Sequence, residues 1–213
     1  PMSGWLRRYE VNVLVNNAEV AHAPVILENN PTFYNLLGRI EHEVTMSGAQ
    51  TDFTMIRPGA LHRANGGYLI IPARDVLSQP YAWDGLKRAL RSGSLRIVEP
   101  TRDFSLISTT TLEPEPITLS VRVVLIGTPL LYYLLSLYDE DFEKLFKIKA
   151  EFTTQMTRDA NAEAEYAWFV KSVADQNDLP PFDQGAVARI VEHGARLAGD
   201  QQRLSTRLGQ ISN

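Results

Sequence analysis

The segment Arg57 to Asp75, RPGALHRANGGYLIIPARD, holds the side chains best placed for chemistry. Gly66-Gly67 followed by Tyr68-Leu69-Ile70-Ile71 reads as a tight turn feeding a short apolar strand, covered on both faces of a parallel sheet. Open α/β sheets bind ligands beyond the carboxyl ends of such strands. Nucleotide-hydrolysing versions place an aspartate there for the Mg²⁺ shell, often with a glutamate that orients water. Pro72 and Ala73 stand in those places, and neither can ionise or hold a metal. Asp75 is the nearest carboxylate and reads in two ways. It is either a substitute for the missing acid or a first-turn carboxylate favoured by the exposed N–H groups of a helix starting at Ala73.

Other candidates are weaker. His62 has no serine or aspartate at a diagnostic spacing, so it reads as a packed or inter-subunit histidine rather than a base. Glu41-His42-Glu43 is too compressed for helix-borne metal ligation, which wants ligands at i and i+4, and no metal is assigned. Lys87, Arg88 and Arg91, with Arg96, form a basic cluster that reads either as a phosphate-binding patch or as a solvated or inter-subunit face. With a net charge of −4, nucleic acid is not the expected partner. No cysteine is present, which excludes disulfides, zinc thiolates and a cysteine nucleophile.

The elements that must position these residues alternate between strand and helix through the first two thirds of the chain. Tyr9 to Val15 alternates as a strand would, and Pro24 to Leu27 is a short extended piece. Thr32 caps a helix through Ile40, and Ser47 to Thr54 reads as a loop. Helices are expected at Ala73 to Ser78 and from Pro80 to Arg91, the latter closed by Gly93. Leu95 to Val98 reads as a strand before a turn at Pro100. Ile117 to Ile126 is a second buried strand ending at Gly127-Thr128-Pro129, and Leu130 to Tyr138 and Glu140 to Phe146 are helical. Ile148 to Phe152 is a third candidate central strand. Beyond it no strand-like run recurs, and two helices are expected around Tyr166 to Val173 and Val187 to Leu197, separated by Leu179 to Asp183. The 213 residues, 44% hydrophobic and 22% charged, suit an α/β domain, 1–152, followed by a small helical domain, 153–213. No apolar run approaches the roughly 20 residues of a membrane span, and a cytoplasmic location is expected. Pro1 is not a natural translation start, so a longer parent protein is expected.

The chain resembles the AAA+ region of Lon-like proteases, in the branch related to archaeal Lon. The residues that carry the resemblance are Asn30-Pro31-Thr32 with Asn35 to Arg39, the string Arg57 to Gly67, Trp83 with Leu86 to Leu90, and Leu204 to Arg207. The fold so implied is a partial Rossmann-type parallel sheet with flanking helices, followed by a small α-helical lid. The resemblance matches Tyr68 to Ala73 to the Walker B strand, Thr128 to sensor 1 and Arg207 to the sensor-2 arginine, with Lys147 near the position of a trans-acting arginine finger. Thr128 could equally cap the helix opening at Pro129. Arg207, four residues after Arg203 on an expected helix face, could equally be solvated or at a subunit interface.

Three departures accompany the resemblance. The acidic pair is replaced by Pro72 and Ala73, a lysine lacks the bidentate fork of arginine, and no Gly-Lys dipeptide exists for a phosphate loop. They imply the ATP-independent type of Lon-like protease, in which the AAA+ module is a scaffold with degenerate Walker motifs. The parent's Ser-Lys dyad would lie outside this segment, so the segment itself is expected to be neither peptidase nor ATPase, with no catalytic residue and no cofactor unless ATP and Mg²⁺ binding is retained. Asp75, Thr128 and Arg207 would be a vestigial nucleotide site. Partners implied are a homo-oligomer, a hexameric ring, and unfolded polypeptide, with Tyr34, Phe53 and Met55 as substrate-channel candidates. Two alternatives stand beside this reading: an active ATPase module whose Walker A lies outside the segment, and a DNA-tethering module.

Overall fold

The computed structural model describes residues 9–45, 48–97 and 112–212. The chain divides into two compact units, 1–147 and 148–213. In chain order the first contains β1 (Val25–Leu27), α1 (Phe33–Leu37), β2 (Arg39–Ile40), β3 (Glu43–Thr45) and β4 (Gly48–Gln50). A 3₁₀ turn at Phe53–Met55 leads to β5 (Ile56–Arg57), α2 (Ala60–Arg63), β6 (Tyr68–Pro72), α3 (Ala73–Ser78) and α4 (Ala82–Ser92). The unit continues with β7 (Ser94–Leu95), β8 (Ile117–Thr118), β9 (Arg122–Ile126), α5 (Pro129–Tyr138) and α6 (Phe142–Leu145). The second contains β10 (Gln155–Thr157), α7 (Ala160–Gln176), α8 (Gln184–Ala198), β11 (Arg203–Ser205) and a 3₁₀ turn at Leu208–Gln210.

The centre of the first unit is a parallel sheet in the order β1-β6-β9. Leu69 sits opposite Ile26 and Val123, and Ile71 opposite Leu125. Strand side chains alternate between faces, so these residues share one face and turn together into the core. Leu69 and Ile71 are fully buried there against Leu36, Leu61, Val76, Leu86 and Leu95, contributed by α1 to α4 and β7. Burial of such side chains, at about 1.5–3 kcal/mol each, is the main stabilising term. Helix entries are set by short polar side chains. Thr32 Oγ1 accepts the Asn35 N–H at 3.1 Å, and Asp159 and Asp183 Oδ1 accept the N–H groups of Ala162 and Ala186 at 2.8 and 2.7 Å.

Several expectations are overturned. Tyr9 to Val15 is not a strand: Val11 and Val13 are exposed, and the segment is tied down through Asn12 Nδ2, which donates to the Phe53 and Ile56 carbonyls. Alternating valines without a neighbouring strand form no ladder. Ile148 to Phe152 is likewise unpaired, with both end residues about 90% exposed, and β1 supplies the third strand of the sheet. Ser47 to Thr54 is not all loop, since β4 pairs antiparallel with β3 and the 3₁₀ turn follows. The run Ile117 to Ile126 breaks into two strands because Asn65 intervenes: its side chain accepts the Ser120 N–H and donates to the Thr118 carbonyl. The strand near Leu95 ends there, and Val98 and the turn at Pro100 lie outside the described residues. The Pro80 helix begins at Ala82, after Tyr81 adopts a left-handed conformation at φ 61°. Finally β6 is buried on one face only, with Tyr68 exposed.

The second unit is held by Tyr166. Its ring, 1% exposed, lies against α8 where Gly194 leaves room, since a Cβ there would fall 2.6 Å from the ring. Its hydroxyl donates to the Ser205 carbonyl, and burial raises the phenol pKa. That contact joins α7 to β11, which pairs antiparallel with β10. Strands therefore do recur beyond Phe152, and Arg203 lies on β11 rather than sharing a helix face with Arg207.

Candidate functional site

The carboxyl edge of the parallel sheet is where a ligand of this fold class would sit. After β6, Pro72 is the N-cap of α3 and offers no side-chain cap. Asp75 is in the first turn of that helix, and its backbone carbonyl accepts the Ser78 hydroxyl at 2.8 Å. Its carboxylate makes no hydrogen bond or ion pair with another described residue. After β9, Thr128 is the N-cap of α5, with Oγ1 3.4 Å from the Leu131 N–H and Pro129 in the first turn. A shallow cleft of about 400 Å³ opens here, lined by Arg74, Gly127, Thr128, Leu130, Leu131 and Leu134. The structure thus brings Thr128 together with Arg74, and Asp75 is not part of the lining. Arg74 was missed from sequence, although a cation directly after a strand end was the available signal. Among the described residues no group of three or more acids or histidines could hold a metal ion.

The string that precedes this edge is built for close packing. Gly59 lies so near α1 that a Cβ would be 2.3 Å from the Leu36 carbonyl and 2.4 Å from the Gly38 nitrogen. Gly67 faces Pro24 in the same way, at 2.0 Å from its carbonyl oxygen. Gly66 has φ +84°, which a side chain resists. His62 Nδ1 accepts the Gly59 N–H at 3.1 Å, one arm of a capping box for α2. Arg57 bridges to Glu41 at 2.8 Å and Arg63 to Glu28 at 3.1 Å. The Arg57 hydrogen bond, followed by that of Arg39, lowers the Glu41 pKa. Asn65 holds the β8–β9 connection, as above. Each polar or glycine residue of the string therefore has a structural role, Gly66 through its backbone conformation and the others through close approach or a hydrogen bond or ion pair, and together they lead into β6.

A model of the LonB-like AAA domain matches residues 21–153. The chain belongs to that family. The lid domain of the archaeal LonB AAA+ ATPase matches residues 181–213. A Lon protease homolog of Escherichia coli (strain K12) is 30% identical over 155 residues, which cover 70% of this chain and 25% of that protein. The chain thus spans about a quarter of the length of that relative. Among solved structures, NtrX from Brucella abortus in complex with ADP is similar in fold. Its TM-score is 0.55 at 18% identity, over 90% of this chain and 37% of NtrX. A second structure of NtrX gives a TM-score of 0.53 at the same identity.

Elsewhere in the LonB-like AAA domain, two cations of the basic cluster, Lys87 and Arg91 on α4, are paired with carboxylates. Lys87 Nζ lies 2.8 Å from Asp139 Oδ2 and 3.5 Å from Asp84. Trp83 Nε1 donates to the same Asp139 oxygen at 2.7 Å, and Arg91 pairs with Asp141 at 3.0 Å. Burial opposes charge on Asp139, yet the hydrogen bonds from Lys87 and Trp83 outweigh it and hold its pKa low. Because this pair is mostly shielded from water, removing one partner strands the other. Asp139→Ala is expected to lower stability by about 2 kcal/mol, read as a lower urea midpoint, whereas an unchanged midpoint would show the pair to be inert. Of the channel candidates, Phe53 and Met55 share one 3₁₀ turn and are half-buried, and Tyr34 is on α1, edge-on to Phe33. Lys147 is exposed. Arg207 is in the other unit, exposed at the start of the final 3₁₀ turn.

Proposed function

We propose that this LonB-like AAA domain is a ring-forming scaffold of a Lon-type serine protease, which admits unfolded polypeptide to a peptidase chamber without hydrolysing ATP. The observation that carries the proposal is the end of β6. Pro72 and Ala73 stand where the resemblance places the Walker B acids, and the adjoining cleft is lined by Arg74, Thr128, a glycine and three leucines, with no carboxylate among the described residues. Without an acid to hold Mg²⁺ and orient water, most of the electrostatic stabilisation of phosphoryl transfer is missing, each such group being worth on the order of 10²-fold in rate. Thr128 and Asp75 are then vestiges of a nucleotide site, Arg207 is carried over only as the sensor-2 position that the resemblance implies, and the domain works without ATP or Mg²⁺. Ring assembly as a hexamer is what the resemblance implies, and the outer stripe of α5 is an apolar contact surface in keeping with self-association. Leu130, Tyr133, Leu134, Leu137 and Tyr138 recur at helical spacing and are exposed, as an interface between copies requires. Phe53, Met55 and Tyr34 would meet the entering chain, in the cytoplasm; no helix among the described residues is long and apolar enough to cross a membrane.

An active ATPase is the second reading, favoured by the uncommitted carboxylate of Asp75. The ion pairs of Lys87 and Arg91 weigh against the DNA-tethering alternative, since cations already paired release few counterions from phosphate. The test is ATP turnover and casein degradation by the full-length parent protein, with and without Asp75→Ala. The expected result is proteolysis that needs no ATP, and turnover at background in both proteins. Turnover that disappears with Asp75→Ala would establish the ATPase and remove the scaffold reading.

A further inference from the structure

Two arginines face each other across an antiparallel ladder. Arg39 on β2 stands directly opposite Arg57 on β5, an arrangement in which like charges repel and destabilise a strand pair. One carboxylate answers both. Glu41 Oε1 accepts Arg39 Nη2 at 2.8 Å and Arg39 Nε at 3.2 Å, and Glu41 Oε2 accepts Arg57 Nε at 2.8 Å. The hydrogen bond from Arg57, then that from Arg39, holds the Glu41 carboxyl below its usual range. The trio therefore carries one net positive charge at neutral pH.

Both oxygens of Glu41 are engaged, and donors remain. A guanidinium has five N–H groups. Beyond Glu41, Arg57 Nη1 lies 3.5 Å from the Thr54 carbonyl, while Arg39 Nη1 and Arg57 Nη2 have no hydrogen-bond partner among the described residues. The two side chains are 47% and 49% exposed. The backbone beneath them is tied on several sides. The Glu41 N–H donates to the Met55 carbonyl at 3.0 Å, Thr51 Oγ1 donates to the Glu41 carbonyl at 2.8 Å, and Asn12 Nδ2 donates to the Phe53 and Ile56 carbonyls. Two planar forks with spare donors and one surplus charge are preorganised for a further carboxylate, which accepts paired N–H bonds.

Nucleic acid fits this site less well. A phosphate backbone is matched by a run of cations, and here Glu41 and the exposed Glu43 interrupt the patch. A polypeptide fits better, because the half-buried Phe53 and Met55 belong to the turn that leads directly into β5. We propose that Arg39 and Arg57 recognise an aspartate or glutamate side chain of an extended polypeptide whose apolar neighbours rest on the Phe53–Met55 turn. The inference rests on the admission of unfolded polypeptide proposed above and narrows it to acidic segments.

The test uses the full-length protein without ATP and two fluorescent, unstructured peptides, one carrying Asp and Glu where the other carries Asn and Gln, with binding read by anisotropy. The acidic peptide is expected to bind about 10-fold more tightly, the worth of a charge-assisted hydrogen bond, and added salt to erode the difference. Arg39→Gln and Arg57→Gln are each expected to remove most of that preference and to leave the affinity for the amide peptide unchanged. Glu41→Gln is expected to act in the opposite direction and tighten the acidic peptide several-fold, because the forks lose their resident carboxylate. A purely structural trio predicts no such gain. The comparison of the two peptides on the unaltered protein stands whether or not a variant folds. Equal affinity for both peptides, or a preference that survives both arginine variants, would overturn the proposal and leave the admission reading intact. Displacement of the acidic peptide by an equal concentration of single-stranded oligonucleotide would assign the forks to phosphate and overturn it too. Binding of neither peptide would remove the admission reading and this proposal with it.

Discussion

Gly59→Ala is expected to destabilise the first unit by about 3–5 kcal/mol, enough to unfold it in dilute urea given net stabilities of about 5–15 kcal/mol. The added Cβ would meet the Leu36 carbonyl oxygen at 2.3 Å and the Gly38 nitrogen at 2.4 Å. Both are main-chain atoms, so no rotamer change relieves the clash, and α1 must move away from α2. Ordinary overpacking of a core costs about 1–3 kcal/mol. Here the displacement also disturbs the hydrogen bond from the Gly59 N–H to His62. Gly66→Ala is the control. At φ +84°, with nothing within 4 Å of the added Cβ, it pays only for backbone strain, about 1–2 kcal/mol. Equal urea midpoints for the two variants would show that the approach of α2 to α1 is not a constraint.

The same glycines explain how much the sequence could disclose. β6 was legible as a strand because Gly66-Gly67 and four apolar residues mark its start and its course, though not that one of its faces is left exposed, and the cap at Thr32 and the long helices of the second unit were legible from spacing and polar entry residues. Tyr9 to Val15 and Ile148 to Phe152 carry the same local pattern yet form no strand, because a strand exists only with a neighbour and local alternation says nothing of pairing. The split between β8 and β9 depends on Asn65, more than fifty residues away in sequence. β10 and β11 are three residues each and join distant segments, too short to leave a periodic signal. At the sheet edge, Thr128 and the unusual strand end were visible, whereas Arg74 was not singled out. The string Arg57 to Gly67 stood out as specific, but its purpose was not legible, since close approach of two backbones is a property of the folded chain alone.

Acid is expected to weaken the first unit through His62. The ring is 6% exposed, and burial lowers its pKa from 6.5 to about 4. Its Nδ1 accepts the Gly59 N–H, so the bound proton of the neutral ring is on Nε2, which finds no partner among the described residues. A second proton would have to enter at Nδ1, directly against a donor, in a site that excludes the water a cation needs. In the unfolded chain the imidazole takes up that proton near pH 6.5. The unfolded state thus binds more protons between pH 6.5 and 4, and stability rises with pH across that window. The stabilising contribution is fully present above pH 6.5 and is lost as the pH falls through about 4. The depression of roughly two and a half pKa units, at 1.36 kcal/mol per unit, sets the loss at about 3 kcal/mol. His62→Gln removes the titration while keeping an amide able to accept from Gly59. Urea unfolding of both proteins at intervals from pH 7.5 to 4 is expected to show the unaltered protein falling more steeply, with the difference confined to that range. Parallel profiles would mean that the ring is protonated in the folded state, and hence that the contact between α1 and α2 opens enough to admit water.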